Sequence, residues 1–264
     1  MYEFEYHQPK SLEQAAKLFA GADDPQFMAG GQTIIPVMKQ RLASPSDIID
    51  LAKIAELKGI TVEGDTLTIG AMTRHGEVAS SDEVRNSIPA LADLASHIGD
   101  PAVRNRGTLG GSIANNDPAA DYPAALVALG ASVHTVSRQI AAEDFFTAMF
   151  ETALEDGEMI VKVSFPVPEC AAYEKFPNPA SRYATAGVFV ARTGEGVRVA
   201  VTGAAPCVFR ANDIENVLEA DFSVKALEAI SISADGLNSD LHASAEYRAN
   251  LIGVLARRAV SQAG

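Results

Sequence analysis

Apolar and polar positions along the chain read as a mixture of strand-length runs and helix-length periods. Residues 2–7, 25–28 and 47–51 are short runs of strand type, and 60–63 and 66–71 alternate on either side of Gly64-Asp65, a hairpin signal. Between them the spacing changes to three and four. Ser11-Leu-Glu-Gln14 is a capping box that opens an amphipathic helix through about residue 20. After Gly30-Gly31, Thr33 is placed to cap a helix with Pro36 in its early turn, a position that tolerates proline. This helix turns Ile34, Ile35, Val37, Met38 and Leu42 inward and Lys39 and Arg41 outward. Helices are expected over 73–79, 89–97 and 121–129, and a short one over 143–150. Strands are expected over 132–136 and 159–165, the latter ended by Pro166 and Pro168. Residues 100–116 have little periodicity and are rich in Gly, Asn, Arg and Pro, so they read as loop with room for one short turn.

Beyond Pro168 the pattern changes. Residues 173–176, 185–192 and 197–202 predict three consecutive strands, the last two joined through Gly194-Glu-Gly196. Helices follow over 212–218, 224–230 and 244–260, the last with Tyr247, Leu251, Val254, Leu255 and Ala259 at core spacing. Strands in hairpins with interspersed helices define an α+β class, with a domain boundary that divides the chain into 1–168 and 169–264.

Composition narrows the chemistry. The 264 residues are 47% hydrophobic and 21% charged, enough to bury a sizeable core. The formal net charge of −13 repels a phosphate backbone, so a nucleic acid is not the expected partner. A nucleotide cofactor, which needs only local donors, remains open. Cys170 and Cys207 form no CxxC pair and supply neither a four-cysteine cluster nor a disulfide framework, which suits a reducing cytoplasm. The N-terminal residues carry no signal-peptide pattern. The most apolar stretch, 123–136, is shorter than the roughly 20 residues a spanning helix needs, so the chain is expected not to be transmembrane.

Two glycine-rich turns carry the candidate chemistry. Ala29-Gly30-Gly31-Gln32-Thr33 lies between an expected strand and an expected helix. Adjacent glycines let a ligand approach unshielded backbone N–H groups, and Gln32 and Thr33 add side-chain donors. Alone, this is weak evidence, and a tight strand-to-helix turn with no ligand is the default reading. Thr108-Leu109-Gly110-Gly111-Ser112 repeats the same chemistry about eighty residues later, inside the long loop that also supplies Arg104 and Arg106. A loop of that length is more often functional than not. Two such turns could clamp the two phosphates of a dinucleotide. No P-loop, G-x-G-x-x-G or nucleophile-elbow spacing is present, and the five histidines are scattered, with core or surface roles expected for each.

The segments AGGQTIIPVMKQRLASPSDIIDL (29–51) and GDPAVRNRGTLGGSIANNDPAADYPAALVALGA (99–131) resemble the two signatures of the FAD-binding subunits of the xanthine dehydrogenase and carbon monoxide dehydrogenase family. YEKFPNPASRYATAGVFVA (173–191) resembles the start of that family's C-terminal flavoprotein domain. The resemblance implies an N-terminal FAD-binding domain of two small α/β subdomains (PCMH-type) and a C-terminal domain with a three-stranded antiparallel sheet and helices. It implies that Ala29, Gly30, Gly31, Gln32 and Thr33, with Thr108, Leu109, Gly110, Gly111 and Ser112, hold the FAD pyrophosphate. It matches Asp121 to a carboxylate that contacts the cofactor, where a helix N-cap is the alternative and both roles are compatible. It matches Ile160 to an apolar position beside the adenine end. It matches Lys175 to a lysine near the flavin, against an ordinary surface lysine. It places Tyr183 where an aromatic meets the isoalloxazine ring, against a tyrosine that packs on a strand.

Animal xanthine dehydrogenases carry iron–sulfur and molybdenum domains on one chain, and this sequence carries neither. It therefore resembles the separate medium subunit of bacterial heterotrimers. The partners implied are a 2Fe–2S small subunit and a molybdopterin large subunit, with NAD, a quinone or O2 as electron acceptor. Two other readings stay open: a self-sufficient FAD-dependent oxidase or reductase, and a non-catalytic nucleotide-binding assembly module. Under a hundred residues follow position 170, which is small for a substrate-capping domain.

Overall fold

A computed structural model describes residues 1–264. Three sheets organise it. Glu5–His7, Asp47–Asp50 and Pro25–Met28 form a three-stranded parallel sheet with Asp47–Asp50 in the centre. Ile60–Glu63, Thr66–Gly70, Ile160–Pro166, Ser132–Thr135 and Gln139–Ala141 form an antiparallel five-stranded sheet in that spatial order. Cys170–Pro177, Ala184–Thr193, Gly196–Thr202 and the two-residue Phe209–Arg210 form an antiparallel four-stranded sheet. The architecture is thus two small α/β units followed by an antiparallel sheet with helices, the α+β class the sequence implies, with one short strand more than the three expected.

The helix Tyr122–Leu129 is the hub. All eight of its residues are buried, as an all-apolar helix requires. It packs against both the five-stranded and the four-stranded sheets, so the largest apolar core runs without a break from Leu67 and Val163 to Phe189 and Ala200. Its position fixes where Asp121, the residue before it, can sit. The long helix Ala245–Ala263 covers the other face of the four-stranded sheet around Val188, Val199 and Leu255.

Several expectations are corrected. The stretch 100–116 is not loop: it holds the short helices Pro101–Arg104 and Leu109–Asn115. Glycine's low helix propensity hides the second, whose first turn contains Gly110 and Gly111; it is fixed by long-range backbone bonds from Leu109 N to Thr73 O (3.1 Å) and from Gly110 N to Ala71 O (2.8 Å). The helix expected over 143–150 stops at Phe145, and the chain turns into the hairpin Phe146–Ala148 and Glu151–Thr152. A further helix, Asp82–Ser87, starts on Ser81 as N-cap. Between 224 and 230 only the single 3-10 turn Lys225–Leu227 forms.

Leu42 does not face inward. Its helix ends at Lys39, Arg41 adopts a left-handed φ of 61°, and Leu42 is left 74% exposed. Tyr247 is likewise exposed, while its neighbour Arg248 is buried, because the guanidinium finds the Thr185 and Gly203 carbonyls and the Asp240 carboxylate. No helix is long and apolar enough to cross a membrane.

Candidate functional site

The strand Pro25–Met28 runs directly into Ala29-Gly30-Gly31, which delivers the chain to the helix Ile34–Lys39. No acceptor within the chain takes the backbone N–H groups of Gly30, Gly31, Gln32 or Thr33. Gln32 folds back, its Nε2 donating to Gly30 O (3.2 Å). Thr33 occupies the N-cap position of the helix but makes no capping bond, so its hydroxyl is free.

The second turn is built differently. Thr108 caps the helix Leu109–Asn115, its Oγ1 accepting from Gly111 N (3.1 Å), and Ser112 N donates to Thr108 O (3.0 Å). Leu109 is fully buried in the core. The turn therefore offers the Ser112 hydroxyl and a shape rather than a row of free amides.

The two turns meet. The space that a Cβ on Gly30 would need is filled by the Arg106 carbonyl and Gly107 Cα, and a Cβ on Gly111 would lie 3.1 Å from the Ala29 Cβ. Both turns line one cleft of about 720 Å³, within the range of small-molecule sites. All the residues expected at the site face this cleft except Leu109 and Lys175: Ala29, Gly30, Gly31, Gln32, Thr33, Thr108, Gly110, Gly111, Ser112, Asp121, Ile160 and Tyr183 line it.

Asp121 precedes the hub helix but makes no capping bond. Its carboxylate accepts instead from the Tyr173 hydroxyl (2.5 Å) and pairs with Lys175 Nζ (2.9 Å). Burial pushes this carboxyl upward, and Lys175 and Tyr173 oppose the push. Lys175 is no surface lysine: its side chain is 7% exposed, and Nζ also donates to the His97 carbonyl (3.1 Å). It stands behind Asp121 rather than in the cleft. Tyr183 lies just outside the strand Ala184–Thr193, in a loop, so strand packing does not account for it. It is half-exposed at the cleft, and burial with nearby Asp117 and Asp121 pushes its hydroxyl upward. Ile160 opens the central strand of the five-stranded sheet and presents an apolar side chain to the cleft.

Two residues beside the site escaped the sequence reading. Tyr173 falls in an expected strand, but its partner Asp121 is 52 positions away and leaves no mark on the local pattern. His75 lines the cleft at 4% exposure. Nothing in the sequence distinguishes it from the other four histidines, since its environment is made by Gly107, 32 positions away.

Four adjacent unpaired amides and two glycine turns with no space for side chains at their junction line one cleft, and the donor set fits an FAD. The comparisons agree. Residues 2–168 match the family model of the FAD binding domain in molybdopterin dehydrogenase, and residues 171–263 match that of the CO dehydrogenase flavoprotein C-terminal domain. The chain is 36% identical to the carbon monoxide dehydrogenase medium chain of Hydrogenophaga pseudoflava, over 98% of this chain and 96% of that one. It is 37% identical to the nicotine 6-hydroxylase medium subunit of Paenarthrobacter nicotinovorans, with the same coverage. Its fold superposes on the solved carbon monoxide dehydrogenase from Hydrogenophaga pseudoflava that lacks the Mo-pyranopterin moiety, with a TM-score of 0.90 at 37% identity, covering 99% of this chain and 97% of the other. The chain belongs to the family of FAD-binding medium subunits of molybdenum hydroxylases, and is an oxidoreductase subunit with FAD as its cofactor.

Proposed function

We propose that this chain is the flavin relay of a three-chain molybdenum hydroxylase: it takes electrons from a 2Fe–2S small subunit and hands them to NAD, a quinone or O2. The organic substrate is hydroxylated on a molybdopterin large subunit, and the heterotrimer works in the cytoplasm. When bound, FAD supplies redox chemistry that couples one-electron to two-electron carriers. The protein's part is to bind, orient and tune it.

In this reading the N–H groups of Gly30, Gly31, Gln32 and Thr33, with the Thr33 and Ser112 hydroxyls, hold the pyrophosphate. Gly110 lets the turn pack directly on Ala71, Gly111 lets it meet Ala29, Thr108 fixes Gly111, and Leu109 anchors the turn from the core. Ile160 packs beside the adenine end and Tyr183 against the isoalloxazine ring. Asp121 orients the cofactor from the buried wall of the cleft, and Lys175 acts through Asp121. Residues 1–168 and 169–264 are the two domains, the second completing the cleft with Tyr183.

The observation that carries the reading is the meeting of the two turns at one cleft wall with four adjacent unpaired amides. The relatives' printed names, medium chain and medium subunit, support a role inside an assembly. Co-expression with the genes of the proposed small and large subunits tests it. The three chains should co-elute with FAD, and substrate should bleach the flavin only in the assembled complex. Turnover of an organic substrate by the flavin-loaded chain alone would show a self-sufficient oxidase instead.

A further inference from the structure

His75 opens the short helix His75–Ser80, and the preceding residue, Arg74, pairs with Thr108 in a single antiparallel bridge. The His75 amide donates to Gly107 O (3.0 Å), which ties this segment to the second glycine turn. The ring fits only because residue 107 is a glycine. A Cβ there would lie 2.5 Å from Nε2 and 2.8 Å from Cδ2, so the Nε2 edge of the imidazole fills the space that a side chain at position 107 would need. His75 and Gly107 both line the cleft.

Neither ring nitrogen has a partner in the chain. Nδ1 is sealed from solvent and unpaired, whereas Nε2 is not among the sealed atoms. Buried polar groups left without a partner are few in folded proteins, and each calls for an explanation. The titratable groups against the ring are Arg104 and Tyr122. The Tyr122 ring lies 5.4 Å away, and burial keeps its hydroxyl protonated. Burial first, and then the Arg104 guanidinium, push the imidazole down to about 4, so it is neutral near pH 7. A neutral imidazole carries one N–H and one bare nitrogen. The sealed side tolerates a bare lone pair better than an orphaned N–H, which places the proton on Nε2, the edge open to the cleft.

We propose that His75 is a cofactor contact, donating a hydrogen bond from Nε2 to an oxygen of the bound FAD beside Gly107. The inference rests on the reading that FAD occupies this cleft. It gives the orphaned ring a function: a neutral donor, rigidly held by Gly107 and Tyr122, that adds to the backbone amides of the first turn.

Long-range 1H–15N spectra of the full chain with 15N-labelled histidine test it, recorded without flavin and after titration with FAD. The flavin-free spectrum should show His75 neutral with its proton on Nε2, and FAD should move that nitrogen's signal in the direction of a donated hydrogen bond. In parallel, His75→Gln, whose amide nitrogen can occupy the Nε2 position, should keep FAD affinity within a few-fold. His75→Phe should weaken it about 10-fold, the worth of one neutral hydrogen bond at the upper end of its range. An unmoved His75 signal in a chain that does bind FAD overturns the contact and leaves the clamp standing. Wild-type affinity in His75→Phe does the same. Failure of the wild-type chain to bind FAD overturns both.

Discussion

Gly30 and Arg106 touch through their backbones: the Arg106 carbonyl stands where a side chain on Gly30 would begin. Gly30 is not in the left-handed region, so its backbone conformation is open to alanine and the obstacle is purely steric. Gly30→Ala must therefore push the two turns apart, at an overpacking cost of roughly 1–3 kcal/mol. The expected outcome is a lowered melting temperature and FAD affinity reduced by about 10-fold or more, read by flavin fluorescence titration. Unchanged FAD binding in a folded Gly30→Ala chain would mean that the turns do not act as one clamp.

The Asp121–Lys175 pair is nearly sealed, so removing the cation strands a buried carboxylate. Lys175→Met should cost about 3–5 kcal/mol, and Tyr173→Phe about 1–3 kcal/mol. Adding Asp121→Asn to Lys175→Met should restore part of the loss. The sign of the pH dependence is fixed as well. Without Lys175, burial alone holds the Asp121 carboxyl above its unfolded value, so the folded variant binds the extra proton and loses stability as pH rises through the folded pKa. Urea titrations across that range check it; a Lys175→Met variant whose stability is flat or rises with pH would contradict the burial of Asp121.

His75 gives a second pH signature in the flavin-free chain. Its imidazole titrates at about 4 when folded, below the usual 6.5, so the unfolded chain binds more protons between these values. Stability should then fall as pH drops from about 6.5 to about 4, by roughly 3 kcal/mol from this group alone. The difference in unfolding free energy between wild type and His75→Gln, measured across this range, should show the slope. A parallel pair of curves would place the ring in solvent.

Much of this was legible in the sequence, and the parts that were not share a cause. The hairpin around Gly64-Asp65 and the strand that ends at Pro166 are set by neighbours in the chain, and local patterning found both. The glycine turns were also legible, because close backbone approach requires a residue type that marks itself. The helix Leu109–Asn115 was not, since its stability comes from the Thr73 and Ala71 carbonyls rather than from its glycine-rich composition. Arg248 took the core place expected for Tyr247 for a similar reason: its acceptors, Thr185 on a strand and Gly203 just past the end of the next, lie more than forty residues earlier. Lys175 is open between a surface lysine and a lysine near the flavin until the fold brings Asp121 beside it. Partnering across the chain decides such roles, and spacing along it carries no trace of them.

The central claim is that two facing glycine turns grip the pyrophosphate of FAD. It is tested most directly by titrating the flavin-free full chain with FAD and, separately, with FMN, which has the same ring system but neither the second phosphate nor the adenosine. The account predicts one FAD per chain and binding of FMN weaker by at least about 100-fold, since each further 1.4 kcal/mol of lost contact is a factor of ten. Equal affinity for FMN and FAD, or no flavin binding at all, would contradict it.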